Sequence, residues 1–173
     1  MELQAALEKR FSCREFLPDV VPTREQIDAI LEAGRLAPTA RNLQPQRMWV
    51  ATSPEDLAKI DECTPCRYGA PVAIIIGFDT QTAMMHTQAA EPWSYGNVDS
   101  TSALVHMLLK ATDLGLATCW VGMYEDAKVF ELFPIPETCE IRALVMLGTP
   151  GEKGVPSSGH TERVPLEQTV TWL

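Results

Sequence analysis

The sequence predicts an α+β domain with one central sheet covered by helices, and two observations carry that expectation. Residues 71–78 contain Val-Ala-Ile-Ile-Ile, an uninterrupted apolar, β-branched run suited to a strand buried on both faces. Around it, segments of helical spacing alternate with short apolar runs in the order helix, helix, strand, helix, strand, helix, strand, helix, strand. The 173 residues show no repeat, low-complexity tract or linker, and suit one domain burying about 70% of its unfolded surface.

Residues 2–10 read as a short helix with Leu3, Ala6 and Leu7 on one side, followed by an aperiodic connection over 11–21. Thr23 and Gln26 form a capping box, after which Ile27, Ile30 and Leu31 recur at helical spacing, giving a helix over 24–36. Gly34 lies on that apolar face, where it either admits a close neighbour or loosens the last turn. Pro38 lacks an N–H and biases Ala37 away from helical dihedrals, so the helix ends there. After a strand at 48–51, Ser53-Pro54-Glu55-Asp56 opens a capped helix that fades near Glu62.

Residues 79–98 contain Met84, Met85, Trp93 and Tyr95 without a period, which suits a lid or a partner contact. Asp99 or Ser100 is expected to cap a long helix with Ala103, Leu104, Met107, Leu108, Ala111 and Leu114 as its apolar stripe, stopped by Gly115. A strand at 117–121 ends at Gly122, a short helix follows at 125–132, and the last strong strand is 141–147. The tail, 148–173, has a β-prone end at 169–172 and too few apolar residues to bury itself, so it is expected to wrap a neighbour.

A formal net charge of −9 argues against a general nucleic-acid binder, which needs a basic face. There is no charged-then-apolar leader and no apolar run long enough for a bilayer, so a cytoplasmic protein is expected. The five cysteines, an odd number, make structural disulfides unexpected. Cys63-x-x-Cys66 leaves three readings open: packing residues, a thiol switch, or half of a zinc site shared with another subunit. His86, His106 and His160 form no i, i+4 pair, so no metal is expected, and His106 is read as a packing residue. Phosphate-loop, Gly-x-Gly-x-x-Gly and Gly-x-Ser-x-Gly signatures do not occur.

The chemistry-bearing stretches are four. Between Pro38 and Pro45 sit Thr39, Arg41, Asn42 and Gln44, whose amides and hydroxyl suit a ring edge carrying both carbonyls and N–H groups. Arg10, Ser12 and Arg14 alternate; an extended backbone would place them on one side as a phosphate grip, or as a solvated patch paired with Glu15 and Asp19. Arg163, beyond the glycine-rich part of the tail, could close on the same phosphate if the tail folds back. The turn Thr118-Cys119-Trp120-Val121-Gly122 ends a strand with a glycine, either a plain strand end or a place where a flat cofactor approaches backbone.

In order and spacing, four motifs resemble the nitroreductase-like flavin oxidoreductases: Arg10-x-Ser12-x-Arg14-x-Phe16, Ala37-Pro38-Thr39-x-x-Asn42-x-Gln44-Pro45, Gly115-Leu116-x-Thr118-Cys119-Trp120-Val121-Gly122 and Arg163-x-Pro165. The resemblance spans residues 2 to 167 and implies a central mixed sheet covered by helices, in an intertwined homodimer with FMN in the subunit interface. It implies that Arg10, Ser12, Arg14 and Arg163 hold the FMN phosphate and ribityl chain. Pro38, Thr39, Ala40 and Asn42 would contact the flavin of the other subunit, and the backbone at Val121 and Gly122 would face flavin N5. The implied reaction takes hydride from NADH or NADPH to an electron-poor acceptor in ping-pong fashion. A reading of a different class is a non-catalytic flavin-binding or redox-sensing module with Cys63 and Cys66 as its switch. Three residues depart from the family's usual pattern: Arg41, Gln46 where an aromatic is common, and Thr161 where a second basic residue is common.

Overall fold

The computed structural model describes residues 1–173. Its helices are α1 (Leu3–Lys9), α2 (Arg24–Arg35), α3 (Pro54–Cys63), α4 (Gly96–Asp113) and α5 (Asp126–Leu132). Its strands are β1 (Gln46–Ala51), β2 (Val72–Asp79), β3 (Met85–His86), β4 (Trp93–Ser94), β5 (Ala117–Val121) and β6 (Cys139–Gly148). The main sheet has the order β1-β2-β6-β5, and every neighbouring pair is antiparallel. The mixed sheet implied by the resemblance therefore takes a narrower form within one chain. Its one parallel element is an isolated bridge between Ser12 and Thr118.

Both faces of the sheet are covered, which is why β2 reads as a continuous apolar run. Val72, Ile74 and Ile76 pack with α2 and α4 residues such as Ile30, Leu104 and Met107. Ala73 and Ile75 join the opposite cluster, with Ile60, Phe16 and Val129. The register shift between Ile76 and Gly77 lets β6 place both Ile141 and Leu144 in that second cluster. Truncating fully buried Ile74 to Ala should cost about 2–5 kcal/mol through lost contacts and the cavity left behind.

The capping box at Thr23 forms as expected, with the Gln26 N–H on Thr23 Oγ1 and the Thr23 N–H on Gln26 Oε1. Gly34 is a close-approach residue: a Cβ there would lie 2.8 Å from Met107 Cγ and Met48 Cε. It lets α4 pass over α2.

Two expectations need correction. First, α4 starts at Gly96, so Asp99 and Ser100 lie inside its first turns rather than capping it. Ser100 Oγ donates back to the Gly96 carbonyl at 2.6 Å, and Asp99 turns its carboxylate to another segment. Second, residues 169–172 form no strand, and a 3-10 turn at Leu166–Gln168 precedes them. Of the three apolar residues on one side of α1, only Ala6 is buried within the chain; Leu3 and Leu7 are exposed. The tail's first part binds its own chain. The Leu17 N–H donates to the Thr149 carbonyl, the Gly151 N–H donates to the Glu15 carbonyl, and Phe16 bridges Pro150. Residues 161–173 stay exposed. No helix is long and apolar enough to cross a membrane.

Candidate functional site

Arg10 closes α1 in an extended conformation, and the arm that follows runs alongside β5. The Cys13 N–H donates to the Thr118 carbonyl at 2.9 Å, and the Phe16 N–H donates to the Tyr68 carbonyl at 3.0 Å. Cys13 points fully into the core between half-buried Ser12 and exposed Arg14, as strand alternation requires. Ser12 and Arg14 thus share the outward side. Neither Arg10 nor Arg14 pairs with Glu15 or Asp19; Glu15 instead accepts the backbone N–H of Lys153. Among the fourteen Lys and Arg residues, the eight in ion pairs are Arg24, Arg35, Arg47, Lys59, Arg67, Lys110, Lys128 and Arg142. Every arginine singled out in the motifs, Arg10, Arg14, Arg41 and Arg163, is left without a carboxylate partner. In so acidic a chain, that selects places where an anion is wanted.

The tail returns to the same neighbourhood. His160 Nε2 lies 2.9 Å from the Glu8 carbonyl, and its ring meets Phe11 edge-on at 6.4 Å. Arg163 follows and donates through Nη1 to the carbonyls of His160 and Glu162, at 2.8 and 2.6 Å. Its guanidinium fastens the turn and keeps further N–H donors.

The Pro38–Pro45 loop is held in a rare conformation. Arg41, Asn42 and Gln44 have φ of 51°, 57° and 53°, in the left-handed region that side chains disfavour. What holds it comes from elsewhere. The Ala40 N–H donates to Asp99 Oδ1 at 3.0 Å, and the Gln44 N–H donates to Thr39 Oγ1 at 3.1 Å. Arg47 donates to the carbonyls of Gln44 and Gln46, and is itself braced by Asp79 at 3.3 Å. Burial pushes the Asp99 carboxyl above its ordinary range, against the smaller opposing effect of the Ala40 N–H. Asp99 Oδ2, Gln46 Oε1 and Asn97 Oδ1 are buried without partners. Asp99 lies at the i, i+4, i+8 spacing of Ala103 and Met107. That spacing marked it as inward-facing; the cap reading missed it.

At the far end of β5, alternation sorts the two glycine-turn residues. Since the Thr118 carbonyl faces Cys13, the backbone of Trp120 and Gly122 also faces away from β6, whereas Val121 turns towards Leu144. A Cβ on Gly122 would meet nothing within 4 Å, so this edge is open to a flat ligand. Of the expected pair, Gly122 is therefore the one with a free backbone side.

Comparison with known proteins identifies the family and the fold. The profile of the Nitroreductase family matches residues 7–64 and 65–149. The chain belongs to the nitroreductase family. An NADH dehydrogenase of Thermus thermophilus is 28% identical over 99% of this chain and 96% of its own length. A Methanothermobacter thermautotrophicus protein named for NADH dehydrogenase and NAD(P)H nitroreductase is 33% identical, over 97% of this chain and 88% of its own. A nitroreductase family protein of Clostridium difficile superposes with a TM-score of 0.89 at 28% identity, covering 99% of this chain and 98% of that one. An Exiguobacterium sibiricum nitroreductase solved with FMN has the same fold, with a TM-score of 0.86 at 19% identity, over 100% and 98% of the chains.

Within this nitroreductase-family chain the other signals divide. All five cysteines are free and buried in one core cluster with Ile75 and Leu144. Burial raises the thiols of Cys13, Cys63, Cys119 and Cys139, which keeps them protonated and weakly nucleophilic. No group of three or more His, Cys, Asp or Glu residues is arranged to hold a metal ion. His106, expected to be packed, is half-buried beside Leu36 and Leu109 on an outer groove. Within residues 79–98, Met85–Ser94 form the β3–β4 ribbon, and aromatic side chains cluster there: His86 stacks on Trp93 at 5.1 Å and 11°, and Trp93 meets the following Tyr95 at 4.5 Å. Thr161 is exposed, and Arg41 stands at the loop's outer surface.

Proposed function

We propose that this chain is an FMN-dependent oxidoreductase that passes hydride from NADH or NADPH to an electron-poor acceptor, such as a nitroaromatic, a quinone or a flavin, in two alternating half-reactions. The observation that carries the reading is the set of arginines without carboxylate partners in an acidic chain, Arg10 and Arg14 on the arm beside the open edge of β5 and Arg163 on the returning tail. That donor set fits a phosphate, and the amide-rich loop fits a ring edge with mixed donors and acceptors. When bound, FMN supplies the hydride chemistry at N5.

The protein's share is to hold and orient. Arg10 and Arg14 would grip the phosphate, and Ser12 and Arg163 the remaining phosphate and ribityl oxygens. Gly122, with Val121 behind it, would present backbone towards N5. Pro38, Thr39, Ala40 and Asn42 would meet the flavin of a second subunit. A homodimer belongs to this reading. An outer groove between α1, α2 and α4 is lined by Leu3, Ala33, Leu36 and Leu109, and Val98 and Val105 are exposed on α4. Residues 161–173, with Trp172 90% exposed, would embrace the partner, and the setting would be the cytoplasm.

The test is an absorbance spectrum of purified protein before and after adding FMN and removing the excess, followed by NADH and NADPH oxidation with a quinone. A retained flavin band with turnover is the expected result. No band after reconstitution overturns the reading, and a band without turnover from either donor favours a sensor. Sedimentation at micromolar concentration should give a dimer; a flavin-loaded monomer overturns the shared-site part.

A further inference from the structure

The Pro38–Pro45 loop and the β3–β4 ribbon enclose a cleft of about 300 Å³. Its walls include Met84, Met85 and Tyr95, which offer an apolar, polarisable surface to a ring. Its polar groups are Arg41, His86, Thr87 and Gln88, and no carboxylate lines it. Arg41 has no acidic partner anywhere in the chain. Its backbone is fixed at a φ of 51°, next to the Ala40 N–H that Asp99 holds.

The imidazole of His86 is also set. The Ala89 N–H donates to His86 Nδ1 at 3.1 Å, so Nδ1 is the acceptor and the neutral ring carries its proton on Nε2. Stacking on Trp93 fixes the ring plane. One guanidinium and one outward N–H donor thus face an apolar wall.

We propose that this cleft is an anion-selective subsite for the electron acceptor, in which Arg41 and His86 receive the carboxylate of an aromatic substrate. The proposal rests on the flavin reading, which puts the neighbouring residues Ala40 and Asn42 against the cofactor. The cleft's volume sits at the low end of ligand pockets, enough for one substituted ring, and its single cation with no carboxylate suits an anionic one. For a nitrobenzoate the overall balance is ordinary: NAD(P)H is oxidised to NAD(P)+, and the nitro group takes up that hydride and one solvent proton, leaving a nitroso group and water.

The experiment uses the protein as purified with its flavin and measures benzoate against benzamide binding by calorimetry, so no turnover is needed. Benzoate should bind about fivefold tighter, the range expected for one exposed charge contact, and the preference should shrink as salt is raised. Arg41→Gln should remove the preference by weakening benzoate more than benzamide, and Arg41→Lys should restore most of it. The same ratio should appear in kcat/KM for 4-nitrobenzoate over 4-nitrobenzamide. Equal affinities in the native protein, or a preference that survives Arg41→Gln, overturns the subsite. A change in KM for NADPH but not for the nitrobenzoate also overturns it, by giving the charge to the donor. The flavin band is read on the same samples. Its absence alongside an intact benzoate preference would count against the flavin reading alone.

Discussion

The arm at residues 10–14 and the loop at 38–45 are proposed to meet opposite ends of an FMN, the loop on the flavin of a second subunit, yet they are held by different means. The arm hangs on main-chain bonds: Cys13 to Thr118 and Phe16 to Tyr68, with the tail at Thr149 and Gly151 locked onto Leu17 and Glu15. Its outward side chains take no part in that framework. The loop depends on side chains, Asp99 under Ala40, Thr39 under Gln44 and Arg47 under two carbonyls, to keep left-handed residues in place. The difference separates affinity from stability. Substitution on the arm should change only what is bound, whereas substitution beneath the loop should change both.

The largest effect is expected at the arm. Arg10→Ala with Arg14→Ala should weaken FMN binding on the order of 100-fold, the loss of two charge-assisted contacts, with thermal stability unaltered. Flavin fluorescence titration beside a melting curve checks both halves, and an unchanged affinity would move the phosphate elsewhere.

Next comes the support under the loop. Asp99→Ala leaves the Ala40 N–H without its acceptor and should cost about 2 kcal/mol in denaturant unfolding while also lowering flavin affinity. Asp99→Asn keeps an acceptor and removes a buried charge. Because burial raises the folded-state pKa of Asp99, its contribution is fully present below the ordinary carboxylate value and is lost as pH rises through the raised one. Asn should therefore gain on the native protein between acidic and neutral pH, and a gap that stays flat with pH would refute this.

Smaller still is the brace at Asp79. Hydrogen bonds from the Thr82 hydroxyl and the Gln81 N–H, then the charge of Arg47, hold its carboxyl below the usual range. Its stabilisation is present above the unfolded value and lost as pH falls through the lowered one. Asp79→Asn should weaken flavin binding by about threefold or less at neutral pH, and the difference should fade on acidification. The smallest change is expected for Gln44→Gly, which relieves a φ of 53° and should alter stability by under about 1 kcal/mol. A loss larger than the one at Asp99 would show that the Gln44 side chain, which reaches the Asn42 carbonyl, matters more than its backbone strain.

Local physics explains how far the sequence could be read. The strand at β2 and the capped starts of α2 and α3 depend on neighbours within a few residues, so spacing and caps revealed them. The start of α4 did not follow from spacing, because Asp99 is a good capping residue whose carboxylate is engaged 59 positions away, at Ala40. Nothing local in Arg41 or Gln44 announces a left-handed backbone; that is imposed by Asp99, Thr39 and Arg47. The β3–β4 ribbon has two-residue strands, too short for any alternation to register, and what gathers it is the stack of His86, Trp93 and Tyr95. The arm was legible as a pattern of cations, but its bridge to Thr118 required the folded sheet.

The bare edge of β5 has a consequence for handling the protein. Beyond the Ser12–Thr118 bridge no strand pairs with this edge of β5, which lies next to a Trp120 that is 43% exposed. Exposed rungs of this kind invite edge-to-edge pairing between molecules. Material stripped of flavin should scatter light and precipitate sooner than loaded material, so the cofactor would serve as a stopper against self-association as well as a reagent.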